Sequence, residues 1–569
     1  MPPLSIPEPQ KSRICLAASA SPASRNEGGV LDTEKRSLKE IAGDFFAYLG
    51  RNFPQQCASD EFYFLPRAEV ARNHLDTLDS LTPEKIHDHI RYVKDLLGEV
   101  PPQKANDLEE EIDRRFLTQS MESFIREFAE EEVWRNDPTL YVKIPLFATD
   151  QVISQKGRGQ EDLRARLLAL FSHIPSFLGA AIHNLGSPSE LALQVAIAMT
   201  RDALHFYQRD IRAYIDEKVG DDRELGAKHC AVVEAWEDYI KGLQALPSRK
   251  SFAIGEDALD KIIRVSLSYH VSPREILEIA RQAYLEIQDK YSALATSLEK
   301  RTDQRGVEYK EPPSVASPAA LLKLYQREVR CLRRFFLSRD IITLPPGEGL
   351  FVRETPYYLR SLRATASYRA PLTGNTREHG TFYLTPGEED LALIARHCPY
   401  LSAHETYPGH HILDHLRIHH ANPIRRQIES PLFYEGWACY AEQLLDELGY
   451  VKDPQQQLIQ LTRQMWRCLR AMLDVELQTG KIALGRAAKK LQSLGFSSQR
   501  AERQVRRFCL SPGYQLCYFI GMQEIIRLRK KFAPRLGLKR FHDTLLGGGE
   551  IPFYLVEKKL EATAYKRVV

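Results

Sequence analysis

The segment Ala403-His404-Glu405-Thr406-Tyr407-Pro408-Gly409-His410-His411 carries residue types that do hydrolytic chemistry at a metal. In the zinc peptidase pattern HExxH, two histidines four residues apart share a helical face and bind the ion. The glutamate between them is the general base. Here the second histidine comes six residues on, at His410, or seven, at His411. A regular helix would hold such rings about 9–10 Å apart, too far for bonds of about 2.0–2.1 Å to one ion. The pattern works only if Pro408-Gly409 breaks or bulges the helix. Proline removes a backbone donor and clashes with the preceding turn, and glycine permits unusual dihedral angles.

A third ligand is available downstream. Tyr434-Glu435-Gly436-Trp437-Ala438-Cys439-Tyr440-Ala441-Glu442 reads as a helix opening, with Glu435 25 residues after His410 and 24 after His411. A carboxylate from a following helix completes a two-His, one-Glu zinc site with a position left for water. Glu442, two turns on, either orients a ligand histidine or is an ordinary solvated acid. Eight of the 17 histidines fall between residues 379 and 420. His415, His419 and His420 follow at helical spacing, so part of this enrichment is a polar helix face.

The elements that must position these groups are helical. Leu38, Ile41, Phe45, Phe46 and Leu49 recur at helical spacing, as do Leu167, Leu168, Leu170 and Phe171. Thr82-Pro83-Glu84 and Ser272-Pro273-Arg274-Glu275 read as capped helix starts. The clearest strand is Gly380 to Pro386, preceded by the turn residues Thr373 to Thr376. Lys300 to Pro318 reads as a long loop or linker. The expected fold is mainly α with a small β element. Residues 1–30 form a disordered tail, and 31–569 one large unit with a helical lobe to about 340 and a metal-site lobe from about 341.

HETYPGHH followed by YEGWACYAEQL resembles the family filed as domain of unknown function 885 (DUF885), from about Tyr368 to the C-terminus, with weaker similarity before it. That family is in turn similar to zincin metallopeptidases whose ligand glutamate follows the second histidine by about 24–25 residues, such as angiotensin-converting enzyme, thimet oligopeptidase and the Taq-type carboxypeptidases. The resemblance implies a helical shell around a central channel and one Zn2+. It also implies hydrolysis of a peptide or small amide, with Glu405 as general base. Matching the Gly-His of such motifs favours His410 as second ligand; counting back from Glu435 favours His411. His410 is taken, with His411 as the alternative, beside His404 and Glu435. Ser511-Pro512-Gly513-Tyr514-Gln515-Leu516-Cys517-Tyr518 resembles a family motif, which offers Tyr514 or Tyr518 as oxyanion donor and Gln515 as a substrate contact. The strand at Gly380 and Phe382 takes the place of the zincin edge strand that pairs with an extended substrate.

Composition narrows the alternatives. Lys+Arg 78 against Asp+Glu 75 leaves a net charge of +3 on 569 residues, which gives no footing for nucleic-acid binding. No run of about 18 apolar residues is present, so no membrane span is expected. Nine scattered cysteines without a CxxC point to reduced thiols and a cytoplasmic setting. Two rival readings keep the helical fold. One is a biosynthetic enzyme using iron at a two-His, one-carboxylate site. The other is a non-catalytic binding scaffold.

Overall fold

The computed structural model describes residues 36–565 apart from 60, 103–106, 155–158, 306–314, 357–359, 361–364, 373–378 and 387–390. The expected N-terminal tail and the turn residues Thr373 to Thr376 lie outside the described residues. Helices dominate, as the sequence pattern predicts. Leu38–Asn52 opens with a capping box in which Ser37 and Glu40 satisfy each other's backbone donors. Thr82 caps Pro83–Glu99, and Ser272 with Glu275 closes the same device at Pro273–Arg305. That last helix runs through the start of the expected linker at Lys300, and the next begins at Pro318.

Buried apolar side chains from Ile41 to Leu560 form one contiguous core. The helix Gln160–Asn184 contains an 18-residue window of mean hydropathy 1.4, although no uninterrupted apolar run exists. Its buried residues, Leu167, Leu170, Phe171, Ile174, Leu178 and Ala181, recur at three- and four-residue spacing, which is one stripe facing that core.

The sheet has three strands: β1 (Leu350–Glu354), β2 (Ala366–Arg369) and β3 (Gly380–Leu384). Their order is β1-β3-β2, with β1 parallel and β2 antiparallel to β3. The strand expected at the edge is therefore the central one. Leu350 to Glu354 pair with it on one side and Ala366 to Arg369 on the other, so β3 cannot accept a substrate strand along that length. Phe382 is fully buried with its ring 5.7 Å from that of Tyr325, which makes it core rather than a substrate contact. Gly380 is required by packing: a Cβ there would meet the Tyr368 hydroxyl at 2.2 Å.

Five helices after the sheet carry the site. They are the His404 helix (Cys398–Glu405), the His410 helix (His410–Ile418), the Glu435 helix (Pro431–Glu447), the arginine helix (Pro454–Gln478) and the Tyr518 helix (Cys517–Leu536). The Glu435 and Tyr518 helices cross backbone to backbone. A Cβ on Gly521 would lie 2.0 Å from the Leu432 carbonyl oxygen, and one on Gly436 would lie 2.5 Å from the Gly521 Cα. Gly521→Ala should therefore cost about 1–3 kcal/mol of overpacking, or more because backbone must move. The thermal midpoint should fall, while Gly485→Ala, which meets nothing within 4 Å, should leave it in place. Equal midpoints for the two variants would remove the close crossing as a constraint.

Candidate metal centre

The His404 helix stops at Glu405 because Thr406 leaves helical geometry at φ −127°, ψ −94°. The Tyr407–Pro408 peptide is cis. The Gly409 N–H then reaches back to the Ala403 carbonyl at 3.0 Å. A Cβ on residue 409 would lie 1.9 Å from the His404 carbonyl oxygen and 2.4 Å from that of Ala403, so only glycine fits. The Trp437 indole N–H donates to the Pro408 carbonyl at 2.7 Å and braces the turn from the Glu435 helix. A second helix starts at once with His410. The Pro-Gly break that the spacing demands is present.

The break brings His410 back onto His404. Their rings lie 4.8 Å apart at 86°. The Nε2 atoms of His404 and His410 stand 3.5 Å and 3.7 Å from the same Glu435 oxygen, Oε2. One ligand atom from each of these three residues falls within a 4.8 Å span. All three are buried, and Glu435 Oε2 has no hydrogen-bond partner among the described residues. An orphaned buried carboxylate oxygen facing two imidazoles fits a cation, because an unpaired charge is otherwise costly to bury. Two imidazoles and one carboxylate also match the donors of a catalytic zinc.

His411 does not join them. Adjacent residues on a helix face different directions. The His411 ring sits beside Tyr407 and 3.4 Å, through Nδ1, from the Tyr368 hydroxyl. Burial holds its pKa down to about 3. It lines a separate cleft of about 240 Å3 with Gly380, His379, His415 and His419. The expected alternative ligand is thereby placed outside the cluster, and His410 inside it.

Glu442 is completely buried and lies 2.8 Å from His404 Nδ1, which leaves Nε2 for an ion. A second possible grouping, His404, Cys439 and Glu442, shares that histidine. Its charge is already neutralised. Arg463 donates twice to Glu442 at 2.8 Å, Arg467 also pairs with Glu442, and Arg467 Nε donates to Cys439 Sγ at 2.7 Å. With its carboxylate so paired, Glu442 is placed to orient His404. Sequence reasoning missed both arginines. Their only signal is two basic residues four apart on a buried helix face.

Burial opposes the charge on Glu435, but the imidazoles of His404 and His410 that face it outweigh this and hold the carboxyl well below its usual range. Burial likewise opposes the charge on His404, and its bonds to Cys439, Glu435 and Glu442 raise its pKa well above the ordinary value. Glu405 is also buried, and burial raises its pKa despite the attraction of His404 and His410 and a backbone bond from Tyr368 of β2. A carboxyl moved towards neutrality can take up and return a proton.

The tyrosines arrive from a turn rather than the expected helix start at Tyr514. Gly513, at φ +78°, and Gln515 give their N–H groups to the buried Asp474 carboxylate, and the helix begins only at Cys517. The Tyr514 hydroxyl donates to Glu435 Oε1 at 2.5 Å, so it positions Glu435 instead of facing open space. Tyr518 is half-buried, also bonds towards Glu435, and carries the Arg470 guanidinium 3.6 Å over its ring. Gln515 is 1% exposed, and its side-chain oxygen accepts from Arg470 at 2.6 Å. It fixes Arg470 and is not placed to touch substrate.

The family model described as "Bacterial protein of unknown function (DUF885)" matches residues 67–560. Two solved structures are similar at 18% identity, each covering 92% of this chain and 99% of its own. One, from Shewanella oneidensis, is named a candidate lipoprotein of unknown function and gives a TM-score of 0.74; the other, a candidate lipoprotein from Colwellia psychrerythraea, gives 0.76. They show the same fold. No curated protein matches the sequence.

Zinc titration calorimetry tests the cluster. Metal needs a neutral imidazole, and the raised pKa of His404 sets protons in competition with the ion, so binding should tighten as pH rises. His410→Ala should abolish the heat, and His411→Ala should retain it. Loss of binding in His411→Ala with binding kept in His410→Ala would contradict this geometry.

Proposed function

The chain belongs to the DUF885 family, and we propose that this member is a zinc-dependent hydrolase of peptide or amide bonds, related in its site to the zincin metallopeptidases. The observation that carries the reading is the convergence of His404, His410 and Glu435 on one point, with buried Glu405 next in sequence to the first ligand. Zinc held by those three residues would supply Lewis acidity and bring the pKa of water to about 7. Glu405, its pKa already raised, accepts the proton of the attacking water and returns it to the leaving nitrogen.

Tyr518 is the better placed of the two tyrosines to stabilise charge on the carbonyl oxygen. Its hydroxyl belongs to the same cluster, and the cation over its ring favours its acting as a donor. Tyr514 holds Glu435 in place. β2, the outer strand whose Tyr368 N–H reaches Glu405, takes over the substrate-aligning role expected of β3. The substrate on this reading is a peptide or small amide, without nucleic acid or membrane. The eight described cysteines are all unpaired, which supports a cytoplasmic setting. The two neighbours are named as lipoproteins, which points to another location for those proteins.

Glu405→Gln decides the matter. Purified zinc-loaded protein should cleave members of a peptide and N-acyl amino acid pool followed by mass spectrometry. The variant should keep its zinc and lose about 10²–10⁴-fold in rate. Retained turnover in Glu405→Gln would remove the general base. Iron in protein purified without added metal, with an oxygen requirement, would favour the biosynthetic alternative.

A further inference from the structure

We infer that Arg470 anchors the terminal carboxylate of the substrate, so that the hydrolase acts at chain ends and removes C-terminal residues. The inference rests on the hydrolase reading and adds a substrate class to it.

Seven arginines are buried among the described residues, and six of them have a carboxylate oxygen within ion-pair distance: Arg67, Arg126, Arg417, Arg425, Arg463 and Arg467. Arg470, at 8% exposure, is the exception. Asp474 lies one turn along the same helix, but its two oxygens take the N–H groups of Gly513 and Gln515. What holds Arg470 is neutral. Its Nε and Nη2 donate to Gln515 Oε1 at 3.1 Å and 2.6 Å. Its guanidinium carbon lies 3.6 Å from the ring centre of Tyr518 and 5.0 Å from that of Trp466. Aromatic faces and an amide stabilise a cation without cancelling it, and a buried charge left uncancelled is costly. Nearby donors are also unmet. Nη1 has no partner among the described residues and stays open, and the indole N–H of Trp466 is buried with no acceptor among them. Unmet donors and an uncancelled positive charge select an anion. Gln515 takes Nε and one N–H of Nη2, so the edge formed by Nη1 and Nη2 is left to grip a carboxylate bidentately.

Ring contacts place this guanidinium beside the metal cluster. The Tyr518 ring that it covers lies parallel to the His404 ring, at 6.5 Å and 8°. The same ring lies 5.8 Å from that of Tyr514, whose hydroxyl donates to Glu435. One phenol therefore separates Arg470 from the first histidine. Extended peptide advances about 3.5 Å per residue, so a leaving group one or two residues long spans Tyr518 from the cluster to Arg470. In the reaction, water oxygen bonds to the scissile carbonyl carbon and the carbon–nitrogen bond breaks. Glu405 carries the water proton to the departing amine, whose own carboxylate stays on Arg470 until release.

The test uses zinc-loaded full-length protein and a pool of N-acetylated di- and tripeptides, as free acids and as C-terminal amides. Retention by the Glu405→Gln protein on ultrafiltration reports binding, and cleavage by the unsubstituted protein reports turnover. Acids should be favoured over amides by about 10- to 100-fold, the factor a charge-assisted hydrogen bond is worth. Arg470→Met, made in both backgrounds, should bring that ratio near unity, and Arg470→Lys should restore part of it. The ratio is internal to each protein, so a variant that is only partly folded still reports it. Amides whose last residue is Glu carry a carboxylate on the side chain alone and should behave as amides. If they matched the free acids, Arg470 would hold a side chain and the chain-end assignment would fall. Amides bound and cleaved as well as acids, no retention of either, or a ratio that survives Arg470→Met would overturn the anchor. Acids retained through Arg470 but never cleaved would leave the anchor standing and sink the hydrolase reading instead.

Discussion

The carbonyl oxygen of His404 leaves no space for a side chain on residue 409, and the site depends on that contact. Because Gly409 can pass there, the chain leaves one helix and enters another within four residues. The histidines it connects would point along a straight helix about 9–10 Å apart. Across the turn, their rings meet at 4.8 Å and share one carboxylate oxygen. Trp437 ties the same turn to the helix that bears Glu435, so the element supplying the third group also fixes the geometry of the first two.

Charge explains why the ion would sit at one grouping and not the other. Three carboxylates, on Glu405, Glu435 and Glu442, are buried together. Burying charge is tolerated only where it is paired. Two guanidiniums from the arginine helix meet Glu442, which frees it to orient His404. Glu435 takes the Tyr514 hydroxyl on Oε1, and its Oε2, facing the two imidazoles, receives no hydrogen bond among the described residues. The remaining negative charge lies where a divalent cation would be held.

Much of this was legible in the residues. Helix caps at Thr82 and Ser272 and the apolar periodicity gave the helical class, because those signals are local. The Pro408-Gly409 break followed from a spacing that no straight helix could satisfy. The choice between His410 and His411 was not legible, since it depends on how far the second helix turns. The edge assignment of β3 failed because strand order is non-local: β1, some thirty residues earlier, closes the side that the sequence left open. Gln515 was read as a cleft residue from a motif resemblance and Phe382 from the place of its strand before the His404 segment, whereas Asp474, Arg470 and Tyr325 draw them inward. The Gly436–Gly521 crossing and the two arginines on Glu442 carry no pattern that a single chain would announce.

Anomalous diffraction at the zinc edge, from crystals grown with zinc, tests the central claim most directly. The account predicts one peak bonded to His404 Nε2, His410 Nε2 and Glu435 at about 2.0–2.2 Å, with a remaining position open and Glu405 beside it. A peak on Cys439 and Glu442, or a closed four-ligand site recruiting His411, would contradict it.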